Sequence, residues 1–378
     1  MQVAVMKRDL LRVVGRCQGV ADRKSTMPVL GNVLLEVVGP DALRLAATDL
    51  NLSVTGRVPA EVQKGGSVAV GARELAERVR AMPEGQLVLS AAEGGATLRS
   101  ATSARRYTLN AIPGEDFPAI AEPAADAAGL SLRVDVLSTL IARTHYSIST
   151  DDTRPHLNSA LFEWDGSRVV MVSTDGHRLS KMELPVPGSP ARISMLVPLR
   201  GIQELRRLCD EVRSEGKGDA DAVQEITLVK SGPSAFFRLP GILFGVKLVE
   251  AQFPAYQQVI PSSAERVAVA SRADVIDALR AVKLAASDRT GGVKLSLSRG
   301  VMRFASESPD AGEGFDEVAS EYDGSDITIG FNAQYVLDVL GALDCERIEL
   351  GLGGELDPVV LRPSGSSDFL AVVMPMRI

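Results

Sequence analysis

The stretch Ser173-Thr174-Asp175-Gly176-His177-Arg178-Leu179 gathers an acid, an imidazole and a guanidinium next to two hydroxyls. Ser173, Asp175 and His177 are the residue types of a hydrolytic relay. They alternate along one strand-and-turn segment, however, and cannot easily converge as that relay requires. No G-x-S-x-G elbow or H-E-x-x-H pair occurs, and there are only three histidines. Gly19-Val20-Ala21-Asp22-Arg23-Lys24-Ser25 lacks the glycine before lysine that a phosphate-cradling loop needs. Cys17, Cys209 and Cys345 are odd in number and form no C-x-x-C pair, which speaks against a disulfide framework or a thiolate zinc site. Each cysteine falls in an amphipathic helical pattern, so all three are expected in the core. These residues point to a non-catalytic chain without cofactor or metal, and to binding as the business of residues 173–179.

The elements that position this stretch are strands. Arg168-Val169-Val170-Met171-Val172 precedes it, a polar-apolar run follows Gly176, and Asp-Gly between such runs signals a tight hairpin because glycine tolerates positive φ. The pattern has an echo. Leu30-Gly31-Asn32-Val33-Leu34-Leu35-Glu36 leads to Ala47-Thr48-Asp49, as Leu157-Asn158-Ser159-Ala160-Leu161-Phe162-Glu163 leads to Ser173-Thr174-Asp175. A weaker third copy runs through Val293-Lys294-Leu295 and Val301-Met302-Arg303-Phe304. Each unit opens with a helix, carried by Leu10, Val13, Val14 and Cys17, then by Leu137, Leu140 and Ile141, then by Ile276, Leu279 and Val282. A second helix is predicted over 72–82, 199–212 and 333–343, and the units end alike at Phe117-Pro118, Phe253-Pro254 and Met374-Pro375. Linkers are predicted at 121–129 and 261–265. The fold class is α+β, with three similar domains over 1–121, 128–253 and 264–378, each with two helices against antiparallel sheet.

A chain of 378 residues, 45% hydrophobic and 24% charged, suits two or three soluble domains. No segment approaches a membrane span and the N-terminus has too short an apolar run for a signal peptide, so the expected location is cytoplasmic. The net charge of −7 argues mildly against a nucleic-acid partner. Placement argues the other way. Arg8, Arg12 and Arg16 are spaced to form one outward stripe on the first helix, Arg73 and Arg80 recur on the second, and Arg200, Gln203 and Arg207 share a face on the fourth. Arg280 and Lys283 repeat the idea, while acids gather around 211–221 and 310–323. A single charged face is usually a solvated face. Recurrence in three units, without base-reading motifs, predicts phosphate contact without sequence readout.

Over its whole length the chain resembles the bacterial DNA polymerase sliding clamp, the β subunit of the replicative polymerase. Pro28-Val29-Leu30-Gly31-Asn32, Thr174-Asp175-Gly176-His177-Arg178-Leu179, Gly330-Phe331-Asn332 with Tyr335-Val336-Leu337, and Val372-Val373-Met374-Pro375-Met376-Arg377-Ile378 carry the resemblance. It implies a homodimer closing head to tail as a ring around double-stranded DNA, with helices lining the hole. The implied partners are the replicative polymerase catalytic subunit, an ATP-driven clamp loader, and other polymerases and repair proteins bearing clamp-binding peptides. The resemblance implies a peptide pocket of Leu157, Thr174, Gly176, His177, Arg178, Leu179, Pro254, Val259, Asn332, Tyr335, Leu356, Pro358, Val372, Val373, Met374, Pro375, Met376 and Arg377. It also implies DNA contacts at Lys24, Arg73, Asp151, Pro155 and His156, beside Arg12, Arg200 and Arg207 from the charge pattern. Gln258 stands where the family often has a basic pocket residue, Pro155-His156 replaces an aromatic pair, and Ala285-Ala286 replaces larger aliphatic residues at the dimer contact.

Overall fold

Each third of the chain runs through the same order of elements. The computed structural model describes every residue except 93, 125, 126, 128, 187–191, 216–223, 288, 289 and 378. Part of the linker predicted at 121–129, most of the acidic stretch beyond residue 215, and Ile378 lie outside the described residues.

The first third holds β1 (Gln2–Met6), α1 (Lys7–Val20), β2 (Asn32–Val38), β3 (Ala42–Thr48), β4 (Leu52–Lys64), β5 (Ser67–Gly71), α2 (Ala72–Ala81), β6 (Gln86–Ala92), β7 (Gly95–Ser100) and β8 (Arg106–Pro113). The central third holds β9 (Gly129–Arg133), α3 (Val134–Thr144), β10 (Ser159–Trp164), β11 (Arg168–Thr174), β12 (Arg178–Pro185), β13 (Ile193–Pro198), α4 (Leu199–Glu215), β14 (Glu225–Ser231), β15 (Ser234–Leu239) and β16 (Ile242–Lys247). The last third holds β17 (Arg266–Ser271), α5 (Arg272–Lys283), β18 (Gly292–Ser298), β19 (Val301–Ser308), β20 (Gly312–Glu321), β21 (Ile327–Asn332), α6 (Ala333–Ala342), β22 (Arg347–Leu352), β23 (Val359–Pro363) and β24 (Phe369–Val373). The fold is α+β, with two helices and antiparallel strands in each third.

The chain forms two compact units, Met1–Asp135 with Gln203–Leu248, and Val136–Ile202 with Val249–Ile378. The first unit carries a twelve-stranded sheet in the order β1-β6-β7-β8-β5-β2-β3-β4-β16-β15-β14-β9, with β1 also paired to β4. The second carries another, in the order β13-β10-β11-β12-β24-β23-β22-β17-β20-β19-β18-β21. One junction recurs. In the first unit the fourth strand of the first third, β4, pairs with the eighth strand of the central third, Leu52 opposite Val246 and Gly56 opposite Ile242. In the second unit the fourth strand of the central third, β12, pairs with the eighth of the last, Arg178 opposite Val373 and Met182 opposite Phe369.

The helices fold where apolar spacing demands. Leu10, Val13, Val14 and Cys17 of α1 are buried, and each such side chain fully withdrawn from water contributes about 1.5–3 kcal/mol. Val13 lies so close to β4 that a β-carbon on Gly56 would come within 2.6 Å of it, so glycine there admits the helix. On α5 the buried stripe is Val275, Ala278, Leu279 and Val282 rather than one led by Ile276. The β-branched pair Val275-Ile276 fits the pattern either way, and the strands beneath select Val275. Cys17 and Cys209 are buried and burial pushes both thiols up to about 12. Cys345 departs from expectation: it sits half-buried in the connection after α6, beyond the last helical turn.

The two Thr-Asp turns superpose bond for bond. Thr174 Oγ1 donates to the Arg178 carbonyl at 2.7 Å and the Asp175 carboxylate accepts from the His177 and Arg178 amides. Thr48 Oγ1 donates to the Leu52 carbonyl at 2.7 Å and Asp49 accepts from the Asn51 and Leu52 amides. Even the exit repeats: His177 O accepts from Met374 N–H, and Asn51 O from Lys247 N–H. Met374-Pro375 therefore corresponds to Lys247-Leu248, not to Phe253-Pro254 as predicted, because strand register sets the match and the shared proline does not.

The turns differ at one position. Gly176 has φ 93°, whereas its counterpart Leu50 holds φ 75° with its side chain 55% exposed. A leucine in the left-handed region costs roughly 1–2 kcal/mol and a glycine's extra chain entropy costs roughly 0.5–1 kcal/mol. Leu50→Gly should therefore raise unfolding free energy by about 0.5–1 kcal/mol in urea titration, with the m-value unchanged.

Candidate peptide groove and nucleic-acid interface

The candidate groove lies wholly in the second unit. Pairing of β12 with β24 joins the apolar outer faces of two thirds, and Leu161, Val172, Leu179, Leu196, Tyr256 and Val372 form one buried cluster. Beyond β24 the chain stays pinned at two points. Met374 N–H donates to His177 O at 2.9 Å, and Met376 N–H to Gly330 O at 2.8 Å. Val373 is buried and Met374 is 39% exposed, so one face anchors the terminus while the other meets solvent. Pro375 and Met376 are half-buried and Arg377 is exposed.

The exposed His177 ring stacks on Tyr335 of α6, centroids 6.2 Å apart and planes within 18°. Asn332 caps α6, its Oδ1 accepting from Gln334 N–H at 2.8 Å while its Nδ2 donates to Thr290 O. Thr174 is buried and its hydroxyl also accepts from the Gly176 amide. Tyr256 N–H donates to Pro254 O, starting the single turn that ends at Val259. Val259 is 44% exposed and Leu356 62% exposed. Val359 pairs with Val373, which brings Pro358 level with Met374. Leu157 is buried just ahead of β10. The structure thus brings together Thr174, Gly176, His177, Arg178, Leu179, Tyr335, Val372, Val373 and Met374 by direct bond, ring contact or register. Gln258 is exposed beside Val259.

The basic residues are more entangled than periodicity suggests. Arg16, expected beside Arg8 and Arg12 on an outward stripe, is 2% exposed. Its Nε lies 2.7 Å from Glu211 and a terminal nitrogen 3.2 Å from Glu215, both on α4. The acids of α4 cover the last turns of α1 and turn an apparent phosphate ligand into an internal one. Arg207 is half-buried, with Nε 3.1 Å from both oxygens of Glu204, itself buried. Glu204 packs over Gly19, where a β-carbon would meet its Oε1 at 2.6 Å. Arg12 is 41% exposed at its side chain, 3.6 Å from Asp9 and 3.9 Å from Glu215.

Arg73 is exposed and lines a cleft of about 180 Å³ with Gln18, Arg23 and Arg80, its Nε 2.5 Å from Glu77. Lys24 is exposed in the loop that follows α1. In the second unit Arg200 and Pro155 are exposed and His156 is half-buried. Asp151 shapes that loop: its Oδ1 accepts from the Thr153 hydroxyl at 2.6 Å and its Oδ2 from Arg154 Nε at 2.7 Å. Those bonds, Thr153 first and then Arg154, hold its carboxyl below the usual carboxylate range. Arg154, overlooked in the sequence, is the loop's cation.

A thrice-repeated α+β unit with sheets continued from third to third and arginines on its helix faces defines a subunit of the DNA-clamp class. Family models agree along the chain: the DNA polymerase III beta subunit N-terminal domain matches residues 1–121, the central domain 131–255 and the C-terminal domain 257–377. The beta sliding clamps of Pseudomonas aeruginosa and Escherichia coli K12 are 32% and 30% identical, with both chains covered completely. Among solved structures, a P. aeruginosa DNA polymerase III β subunit superposes with TM-score 0.91 at 30% identity, and a Bartonella birtlesii sliding clamp bound to griselimycin with TM-score 0.92 at 30% identity, each covered end to end. The chain belongs to the DNA polymerase III beta subunit family, the bacterial beta sliding clamps. Its function is that of a DNA sliding clamp, a processivity factor of replication.

The two kinds of arginine should separate on substitution. Arg16→Ala leaves Glu211 and Glu215 facing one another and should cost about 1–3 kcal/mol, below the usual figure for a buried pair because both acids reach solvent. Arg73→Ala should leave the melting temperature unchanged while lowering the magnitude of the salt slope of duplex affinity by roughly 0.9. Thermal melts and salt titrations of both variants check the assignment.

Proposed function

We propose that two copies of this chain close head to tail into a ring around duplex DNA and slide along it without reading sequence. One observation carries this reading, the recurring junction of a fourth strand with the next third's eighth strand. After β4–β16 and β12–β24, one fourth strand and one eighth strand remain, β20 and β8. Residues 312–316 of β20 pair only with β19, and residues 106–110 of β8 only with β7, among the described residues. Bare edges invite pairing, and a second copy supplies the missing partner at both. Continuing the register sets Gly314 opposite Tyr107 and Phe315 opposite Arg106, an aromatic ring beside a guanidinium. Phe315 is 64% and Leu284 83% exposed, as apolar anchors awaiting cover would be. Ala285 and Ala286, expected at this contact, are buried instead. Ala285 packs where a β-carbon on Gly314 would meet it at 3.0 Å, so the contact passes to Leu284.

Arg12, Lys24, Arg73, Arg200, Arg207 and the 151–156 loop act as weak phosphate contacts, sufficient when topology does the holding. The groove at His177, Tyr335 and Met374 takes apolar peptide segments of the polymerase catalytic subunit and of other replication and repair proteins, since methionine and proline walls adapt to varied sequences. Griselimycin, bound in relatives, is expected in the same groove. An ATP-driven loader opens the ring, because this sequence carries no nucleotide motif of its own. The subunit itself is non-catalytic, uses no cofactor and works in the cytoplasm, where replication proceeds. Its domain limits are 1–121, 128–253 and 264–378.

Loaded protein should remain on nicked circular DNA in high salt and leave within one wash after a single cut linearises it. Equal residence on both forms would reject the ring. Phe315→Arg, which faces Arg106 of the second copy with a like charge, should reduce the dimer to monomer in sedimentation while leaving the groove able to bind griselimycin.

A further inference from the structure

Arg178 is the most heavily engaged side chain of the groove. It lies in the second unit, at the first residue of β12, with its side chain 11% exposed. Nε donates to Asp175 Oδ2 at 3.0 Å, one terminal nitrogen to Asp338 Oδ2 at 2.5 Å and the other to the Tyr146 carbonyl at 2.6 Å. The guanidinium plane stands 4.7 Å from the Tyr335 centroid and 5.7 Å from that of Tyr146. Two carboxylates, a carbonyl and two aromatic faces already satisfy this cation, so an incoming peptide finds little of it to bind. Asp338 is held in turn, its Oδ1 accepting from Gln334 Nε2 at 2.6 Å. Asp338 and Tyr335 sit one helical turn apart on α6, so whatever fixes Asp338 fixes Tyr335.

We propose that Arg178 and Asp338 are positioning residues of the groove: their ion pair fastens α6 to the Asp175-Gly176 turn and so holds Tyr335 against His177 as a preformed wall. The wall is one side of the surface that Met374 completes, since His177 O anchors the Met374 amide. A wall fixed before binding spares a ligand the ordering cost of two rings and the helix behind them. Asp338 lies outside the set that the sequence suggested. Its acid is legible only once α6 and the turn are seen together. The inference rests on the groove reading above, and its test is built so that the two fail separately.

The first readout needs no ligand. In the NMR spectrum of the full chain, the His177 ring protons should be shifted upfield by Tyr335, with Tyr335→Leu as the reference that abolishes the shift. Asp338→Asn removes the charge at constant shape and should move the His177 signals most of the way to that reference, while Asp338→Glu should restore part of the shift. Arg178→Lys, which keeps charge but loses the planar fork, should behave like Asp338→Asn and guards against one variant failing to fold. The second readout is griselimycin binding, which Asp338→Asn should weaken about tenfold through faster dissociation, the equivalent of about 1.4 kcal/mol. Unmoved His177 signals and affinity within twofold in folded Asp338→Asn and Arg178→Lys would overturn the positioning role. Absence of binding to the unmodified chain would instead overturn the groove reading, with the NMR result still deciding whether the lock exists.

Discussion

Main-chain hydrogen bonding between the fourth strand of one third and the eighth strand of the next is the constraint on which the rest depends. A sheet edge left bare exposes a row of donors and acceptors and templates aggregation. In each unit this chain removes one such edge by the same register, five residues against five, from Leu52–Gly56 in one and Arg178–Met182 in the other. The consequence is geometric. Because one junction is reused, the strands left at β8 and β20 are the same two members of the repeat, which is why the proposed ring pairs them between copies. In the proposed ring, closure by an identical partner is the junction's third use, between chains rather than within one.

The same junction builds the candidate groove. Where β12 meets β24, the sequence supplies Leu179 and Val372 beneath, a Gly176 that turns without strain, and a terminus carrying methionines past the last paired residue. Where β4 meets β16, the equivalent positions are Ser53 and Gly245, and the corresponding cluster is built from Leu34, Ala46, Ala69 and Phe117. Equal backbones thus carry unequal side chains. Smaller residues close the first junction on itself, with Phe236 packed where a β-carbon on Gly245 would sit, while larger ones leave the second with an apolar floor and an exposed rim.

Much of this was legible in the sequence because it depends on local rules. The Asp175-Gly176 turn, the helix spans and the threefold order follow from turn chemistry and periodicity, which act over a few residues. What escaped depends on partners distant in sequence. Arg16 has the spacing of an exposed residue, but Glu211 and Glu215 arrive from α4 and bury it. The apolar pattern around Cys345 outlasts the helix, since α6 ends at Ala342 and the chain turns towards β22. Leu284 rather than Ala285-Ala286 reaches solvent because the end of α5 settles on Gly314. Asp338 carries no signal of its own: an acid on a helix is ordinary until an arginine from another third is found against it.

The proposed ring depends on a junction between copies at β8 and β20, and a designed disulfide tests that junction most directly. Directly opposed residues of an antiparallel pair have Cα atoms about 4.5–5.5 Å apart, within the span a disulfide bridges. In a chain with Cys345→Ser, the double variant Arg106→Cys and Phe315→Cys should oxidise to a single covalent species of two chains, and neither single variant should do so. A ladder of longer covalent species would mean an open head-to-tail array, and no cross-link in the folded double variant would mean that β8 and β20 do not meet; either result contradicts the closed ring.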